Sequence, residues 1–569
     1  MLAPWFSLLA GALLFALVIA GLAWPVLARR GLEPAEKLVA TAALSLVGVY
    51  LFGWVVFLAH LPAAVHVLLP LIALGGIAAR RREFRLVWRE PAARELGLGQ
   101  LLVSAWCLGL LALVATYSGG GWTGDWFEHW ERARFYLERG PPDMVFLGHA
   151  AVTARPPLAN VINAAFLALT RTDFAHSQLF STLFASLAFA PAALLARRFG
   201  GDRAVPLAAV LFLVNPLFCQ NATFAWTKLP TAFFALCSLW FFLRAGDDGR
   251  PVKPALLLSA CLAAGILAHY SAGPCALVLV VAWLLRLLRR RGEISWWPAT
   301  AAAFAVGVAL LATWFGWALA TYGAHGTFLA NTTVLAADST AGGQLGRIAL
   351  NLRDTLVPHF LRPLDTSLIA QASPWGHLRD WWFQACQLNF PLALGSVAWL
   401  GLGAAALRAW PARRPARRAA WLGAIVAVVV LGVAVHGARD AWGLTHICLQ
   451  PVVLLGLAFL AARWAALPRG WRIALTAGAA FDLVAGIALH FAVQNLAFER
   501  WSGPAAFARW PAENSAGAVM NMAAKLQHQV QFFSAAQPLP PLLLAAALLA
   551  LLVIAVFLSR RPPPALPPA

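Results

Sequence analysis

Stretches of roughly 20 apolar residues recur from Leu8 to Leu558, and short bursts of arginine punctuate them. That length suits the ~30 Å hydrocarbon core of a bilayer. Backbone entering lipid must satisfy its own hydrogen bonds, so such runs can only be helices. The chain therefore reads as an all-α polytopic membrane protein. Of its 569 residues 61% are hydrophobic and 12% charged, against about 25% charged in soluble domains. No segment is polar enough to be a soluble domain working alone.

The formal charge of +20 invites a nucleic-acid reading, but its placement argues otherwise. The basic residues stand at Arg29-Arg30, Arg80 to Arg82, Arg197-Arg198, Arg289 to Arg291, Arg413 to Arg418 and Arg560-Arg561. Bursts between apolar runs mark cytoplasmic loops under the positive-inside rule. They form no basic face, so membrane lipids are expected partners and nucleic acid is not. Seven cysteines are scattered singly, with neither disulfide nor metal spacing. The N-terminal MLAPWFSLLAGALLF lacks the basic region of a signal peptide and reads as part of the first span.

With the bursts as cytoplasmic markers, about fifteen spans are expected. Four precede the first long polar stretch, near 5–28, 38–59, 62–79 and 99–117. The others fall near 174–196, 204–221, 229–244, 254–269, 271–287, 299–320, 388–408, 419–436, 446–463, 472–492 and 538–558. Long outer segments then cover 118–173, 321–387 and 493–537, and they hold just over half of the acidic residues together with clusters of Trp and His. The chain divides into N-terminal helices (1–98), a core (99–320) containing the first outer loop, an outer loop (321–387) and C-terminal helices (388–569). Small residues such as GLGAAAL (401–407) suit close helix contacts in lipid.

The first outer loop is the most informative segment: GGGWTGDWFEHWERARFYLERGPPDM. Gly119 to Gly121 end the preceding helix, Gly124 permits a sharp turn, and Asp125 stands at an N-cap for a helix through Glu138. Trp126, Phe127, Trp130 and Phe135 give that helix an aromatic side suited to the membrane interface. Asp125, Glu128 and His129, at i, i+3 and i+4, converge on one face. In the plainer reading Asp125 only caps the helix while Glu128 and Glu131 pair with Arg132 and Arg134. In the functional one, a carboxylate in apolar surroundings is general base for a hydroxyl or amine.

Next comes TARPPLANVINAAFLALTRTDFAHSQLF. Pro156-Pro157 should open a short helix, and a second element should begin near Asp173 and run to Arg197-Arg198. The order of outward helix, Gly-Asp, interfacial helix, Arg-Pro-Pro-Leu and a span ending in Arg-Arg-Phe-Gly resembles the GT-C membrane glycosyltransferases. The likeness is to the group of ArnT, the protein mannosyltransferases and the Rgt-like enzymes. The pair LFLVNPLFCQNATFAWTKLPTAFFALCSLWFFLR and the segment GILAHYSAGPCALVLVVAWLLRLLRR agree with it, though His269-Tyr270 stands where many relatives carry Thr-Lys. The resemblance covers about 115–320. Three extra spans precede the one that comes first in the family.

The resemblance implies a GT-C-like fold in the bacterial inner membrane, with the active site facing outward. It implies sugar transfer from a polyprenyl-phosphate-linked donor to a lipid or glycan acceptor. Asp125 would be the acid–base group with Glu128 beside it, while His129 and Trp126 would meet the acceptor. A lipid-phosphate donor needs outer-side cations, and Lys228, Arg155 and His269 stand at outer helix ends. Arg439 and His446 fall where relatives often carry a basic residue for the donor, or else in an ordinary polar hairpin. Several relatives place a second acidic residue in the turn matching 219–229. None stands here, which leaves a divalent metal ion open. Trp381-Trp382 reads as an interfacial belt. The alternatives are an O-antigen polymerase or ligase relying on Arg439 and His446, and a transporter. The latter finds few charges inside the spans apart from Asp482, expected at an inner span end.

Overall fold

Helix starts follow the chemistry of the turns before them. The computed structural model describes residues 3–115, 117, 124–147, 150–247, 251–329, 343–358, 374–408, 415–434, 445–493 and 530–536. Within these, Asp173 caps the helix Phe174–Ser186 by accepting from His176 N. Pro157 precedes Leu158–Leu169, and Asn215 caps Pro216–Thr223 through Phe218 N. The architecture is all-α, apart from one antiparallel pair, Val145–Phe146 with Ala150–Ala151.

Among the described residues eight helices are long and apolar enough to cross a membrane, or ten if each of two bent pairs is one span. The expected fifteen are not confirmed: Val252–Ala268 and Arg418–Val433 are apolar but shorter helices, and bends divide other apolar runs. The run 204–221 breaks into Ala204–Leu213 and Pro216–Thr223 at an angle of 67°, where Pro216 withholds an N–H and restricts Asn215. The run 388–408 divides into Phe390–Leu394 and Ala398–Arg408. The expected span 538–558 lies outside the described residues.

Burial sorts the helices into a core and a lipid-facing rim. The span Phe174–Gly200 is 89% buried and Lys228–Asp247 78%, whereas Trp296–Leu329 is 22% buried. Rim residues such as Phe304, Leu288 and Leu285 stay exposed, as contact with acyl chains requires. The N-terminal helices are tied into the core: Tyr50 Oη meets Thr313 Oγ1 at 2.6 Å, Ser7 Oγ meets His176 Nε2 at 2.9 Å, and Trp240 Nε1 donates to Glu36 Oε1 at 3.0 Å. Gly401 lets its helix touch Leu475, whose Cδ2 would lie 2.5 Å from an added Cβ, as the small-residue segment suggested. All seven cysteines are buried and unpaired.

Two expectations are corrected. The helix Asp125–Glu138 does not lie on a membrane surface by its aromatic side, since Trp126, Phe127, Phe135 and Tyr136 are buried in the protein. Tyr136 packs on Trp54 and Phe57, and Trp126 on Phe174 and Phe532. Asp482 stands midway along the Arg469–Val493 span, not at its inner end. Its carboxylate accepts from Ser396 N at 3.0 and 3.1 Å. The helix break after Leu394 frees that N–H, and Gly395, at φ +124°, leaves no Cβ to strike Asp482. A mid-span carboxylate thus has a structural partner and needs no transport pathway.

Candidate functional site

The site forms where two turns meet. Leu213 ends a helix, the bent piece Pro216–Thr223 follows, and the chain reverses before Lys228–Asp247 begins. Ala225 makes the reversal at φ +60°, a conformation costly for a residue with a Cβ and concentrated at functional sites. The turn swings Trp226 and Lys228 toward the first residue of the Asp125–Glu138 helix.

Asp125 is not a cap. Gly124 holds the N-cap position and no side chain caps the helix. The carboxylate turns sideways instead: Oδ2 accepts from Trp226 Nε1 at 3.0 Å and lies 3.6 Å from Lys228 Nζ. Oδ1 lies 3.8 Å from Arg155 Nη2 and accepts no hydrogen bond among the described residues. Lys228 also rests on the Trp226 ring, its Nζ 3.6 Å from the centroid.

Glu128 forms the second tier. Arg132 Nε donates to its Oε1 at 2.8 Å, and Arg155 Nη2 stands 3.5 Å from Oε2. Both members of the Glu128–Arg132 pair are buried, with side chains 2% and 1% exposed. The rest of Arg132 is spent on Val152 O and Ala151 O, at 2.8 and 2.7 Å. Burial alone would raise the Glu128 carboxyl, but Arg155 and Arg132 outweigh it and hold it well below the usual range. The plainer sequence reading was half right here. Glu128 does pair with Arg132, while Arg134 pairs with Glu138 at 2.8 Å.

His129 and Trp126 sit deeper than an acceptor-facing role suggests. His129 Nδ1 lies 3.1 Å from Asn160 Oδ1. Burial, reinforced by Arg155, lowers the imidazole to about 4 against the pull of Glu128. Trp126 is fully buried among Phe174, Tyr117 and Phe532. Behind Trp226 a cavity of about 20 Å³ between His129, Asn160 and Thr227 has room for one water. His269 stands close enough to Lys228, Arg155 and His129 to feel their charges, with Nδ1 accepting from Ser271 N at 3.1 Å. Tyr270 Oη donates to Thr153 O at 3.2 Å and so ties that turn to the Arg155 loop. Arg439 lies outside the described residues, and of His446 only the backbone, in the turn Thr445–Leu449, is described.

The structure thus joins Asp125, Glu128, Arg155 and Lys228 in one cluster and adds Trp226 and Arg132. Trp226 escaped notice because only the strained turn at Ala225 aims it at Asp125, and that turn has no sequence signature. Three cations face two carboxylates (Arg132, Arg155 and Lys228 against Asp125 and Glu128). The surplus positive charge suits an anion. Among the described residues no group of three His, Cys, Asp or Glu is placed to hold a metal.

Comparison with known proteins bears on this region. Residues 154–317 match the family model of dolichyl-phosphate-mannose-protein mannosyltransferases. No curated protein sequence matches the chain. Among solved structures it is similar to ArnT from Cupriavidus metallidurans bound to undecaprenyl phosphate. The identity is 18%, with 77% of this chain and 76% of that one covered and a TM-score of 0.45. It is also similar to the archaeal oligosaccharyltransferase AglB from Archaeoglobus fulgidus in complex with an inhibitory peptide and a dolichol-phosphate. There the identity is 16%, the coverage 71% and 58%, and the TM-score 0.40. Scores below 0.5 add no weight, so the assignment rests on the family match. Running from Ala154 through Arg155, Lys228 and His269 to the helix beyond them, that match places this stretch of the chain with the membrane glycosyltransferases of the GT-C superfamily.

Proposed function

We propose that the chain is an inverting transferase that moves a sugar from a polyprenyl-phosphate-linked donor to a lipid or glycan acceptor at the outer face of the bacterial inner membrane. The observation that carries this is Asp125, whose Oδ1 accepts no hydrogen bond among the described residues and whose carboxylate stands beside two cations. The matched family, named for a dolichyl-phosphate sugar, supports the donor class. The arginine bursts on the opposite side of the spans support the outward face.

In the reaction, the acceptor oxygen attacks the anomeric carbon of the sugar and passes its proton to Asp125 Oδ1. The bond from that carbon to the phosphate oxygen breaks, and its electron pair stays on the departing polyprenyl phosphate. Arg155 and Lys228 stand beside Asp125 where they meet that developing charge. Trp226 fixes the carboxylate by its N–H to Oδ2. Glu128, held by Arg132, keeps Arg155 in place and is a positioning residue, not a second base.

Mass spectrometry of envelope glycolipids and glycans from cells with and without the gene should reveal one missing glycoform. Asp125→Asn should reproduce that loss at unchanged membrane abundance. A full complement of product from the variant would overturn the assignment of the base.

A further inference from the structure

We propose that Lys228 is the resident cation of this site, and that the transferase works without a divalent metal ion because the ammonium occupies the ground beside Asp125 that a metal would need. The inference rests on the donor-phosphate reading above and concerns what neutralises that phosphate.

The donor set comes first. A hard divalent ion takes six or more oxygen ligands, at about 2.0–2.6 Å, and zinc in a catalytic site takes three protein ligands. Asp125 Oδ2 already accepts the Trp226 N–H at 3.0 Å. Glu128 is taken up by Arg132 at 2.8 Å and Arg155 at 3.5 Å. His129 Nδ1 is engaged with Asn160. Among the described residues, what remains of these carboxylates is part of one, with Lys228 Nζ 3.6 Å from one oxygen and Arg155 Nη2 3.8 Å from the other. A dication bound there would lie against two like charges in a site where Lys228 is 7% and Arg155 16% exposed, too sheltered for water to screen them.

Lys228 is also placed against the local rule. It is the first residue of its helix, the end where the helix dipole is positive and a cation is disfavoured. Its compensation comes from outside the helix, in Asp125 and in the Trp226 face 3.6 Å away, an arrangement that desolvated ammonium groups favour. A residue that breaks the local pattern and is held by tertiary partners marks a functional position more often than a structural one. Lys228, Arg155 and the helix N-terminus together make an anion site with fixed positive charge. The phosphate is met by protein donors, with no metal to recruit.

The test uses the full-length protein in detergent, with undecaprenyl phosphate and Mn²⁺ as probes. Wild-type protein treated with EDTA should bind undecaprenyl phosphate as tightly as protein supplied with Mn²⁺, and Mn²⁺ alone should not titrate the site by electron paramagnetic resonance. Lys228→Gln should weaken undecaprenyl phosphate binding by about tenfold to a hundredfold, the size of a lost charge-assisted contact. Lys228→Asp, which sets a second carboxylate beside the first, should gain a Mn²⁺ signal that Asp125→Asn then removes. Binding by the wild type only when metal is present overturns the inference and leaves the donor reading standing. Binding with neither overturns both. The wild-type titrations need no variant, so a misfolded substitution cannot spare the idea.

Discussion

The helix Lys228–Asp247 carries a charge of the disfavoured sign at each end, and its two ends deal with that in opposite ways. At the far end Asp247 faces a negative helix terminus and is clamped by Arg198, at 2.7 and 3.0 Å. Nearby, Arg197 pairs with Asp202 at 2.6 Å. These are direct contacts at hydrogen-bond distance, the first of them bidentate. At the near end Lys228 and Arg155 stand 3.6 and 3.8 Å from Asp125, beyond a good hydrogen bond. Tight pairs hold a structure together; loose pairs in a sheltered place keep their donors for something that arrives.

Replacing Asp125 breaks that contrast most directly. Removing a positioned general base costs about 100- to 10,000-fold. Asp125→Asn should therefore abolish detectable transfer while leaving the melting temperature in detergent near that of the wild type. Wild-type turnover would make the near end no different in kind from the far one.

Glu128→Gln tests the tier below and should act on the fold. Glu128 balances two arginines with almost no solvent, and breaking a buried pair by deleting one partner costs about 3 to 5 kcal/mol. Thermal unfolding in detergent should show a large drop even though the proposed reaction gives Glu128 no chemical step. A variant as stable as the wild type would mean that Arg132 is held adequately by Val152 O and Ala151 O alone.

The sequence showed one half of this site plainly and concealed the other. Asp125, Glu128 and His129 stand within five residues, so helical spacing nominates them together. What it cannot say is which way each points: Glu128 faces the arginines, while Trp126 turns into the core. Lys228 was nominated for its side of the membrane, but its approach to Asp125 depends on the bend at Pro216 and the left-handed Ala225. Apolar run length carries neither. The same limit explains the misplacement of Asp482, whose partner is a backbone N–H exposed only because another helix breaks.

His129 gives a smaller effect with a defined sign. Burial first, then Arg155, lowers its folded value from the usual 6.5 to about 4. The unfolded chain therefore binds the extra proton between those limits, so stability is fully present above pH 6.5 and falls as pH drops toward 4. The loss should be on the order of 2 kcal/mol by pH 5. Glu131, raised by burial, works in the opposite sense, so the difference between wild type and His129→Gln isolates the histidine. Parallel melting curves against pH for the two proteins would sink this assignment.

Asp247→Asn should have the smallest effect and sharpens the comparison from its other side. The Asp247 and Arg198 side chains are 38% and 23% exposed, and exposed pairs contribute about 0 to 1 kcal/mol. The variant also removes the charge that opposes the helix terminus, which returns part of the loss. Its melting temperature should barely move and its turnover should match the wild type. Lys228→Gln, the other end of the same helix, should do the reverse, keeping the melting temperature and losing the lipid phosphate. A fall in turnover with Asp247→Asn would mean that the two ends are coupled through the helix. The tight cluster would then be part of the working machinery and not its anchor.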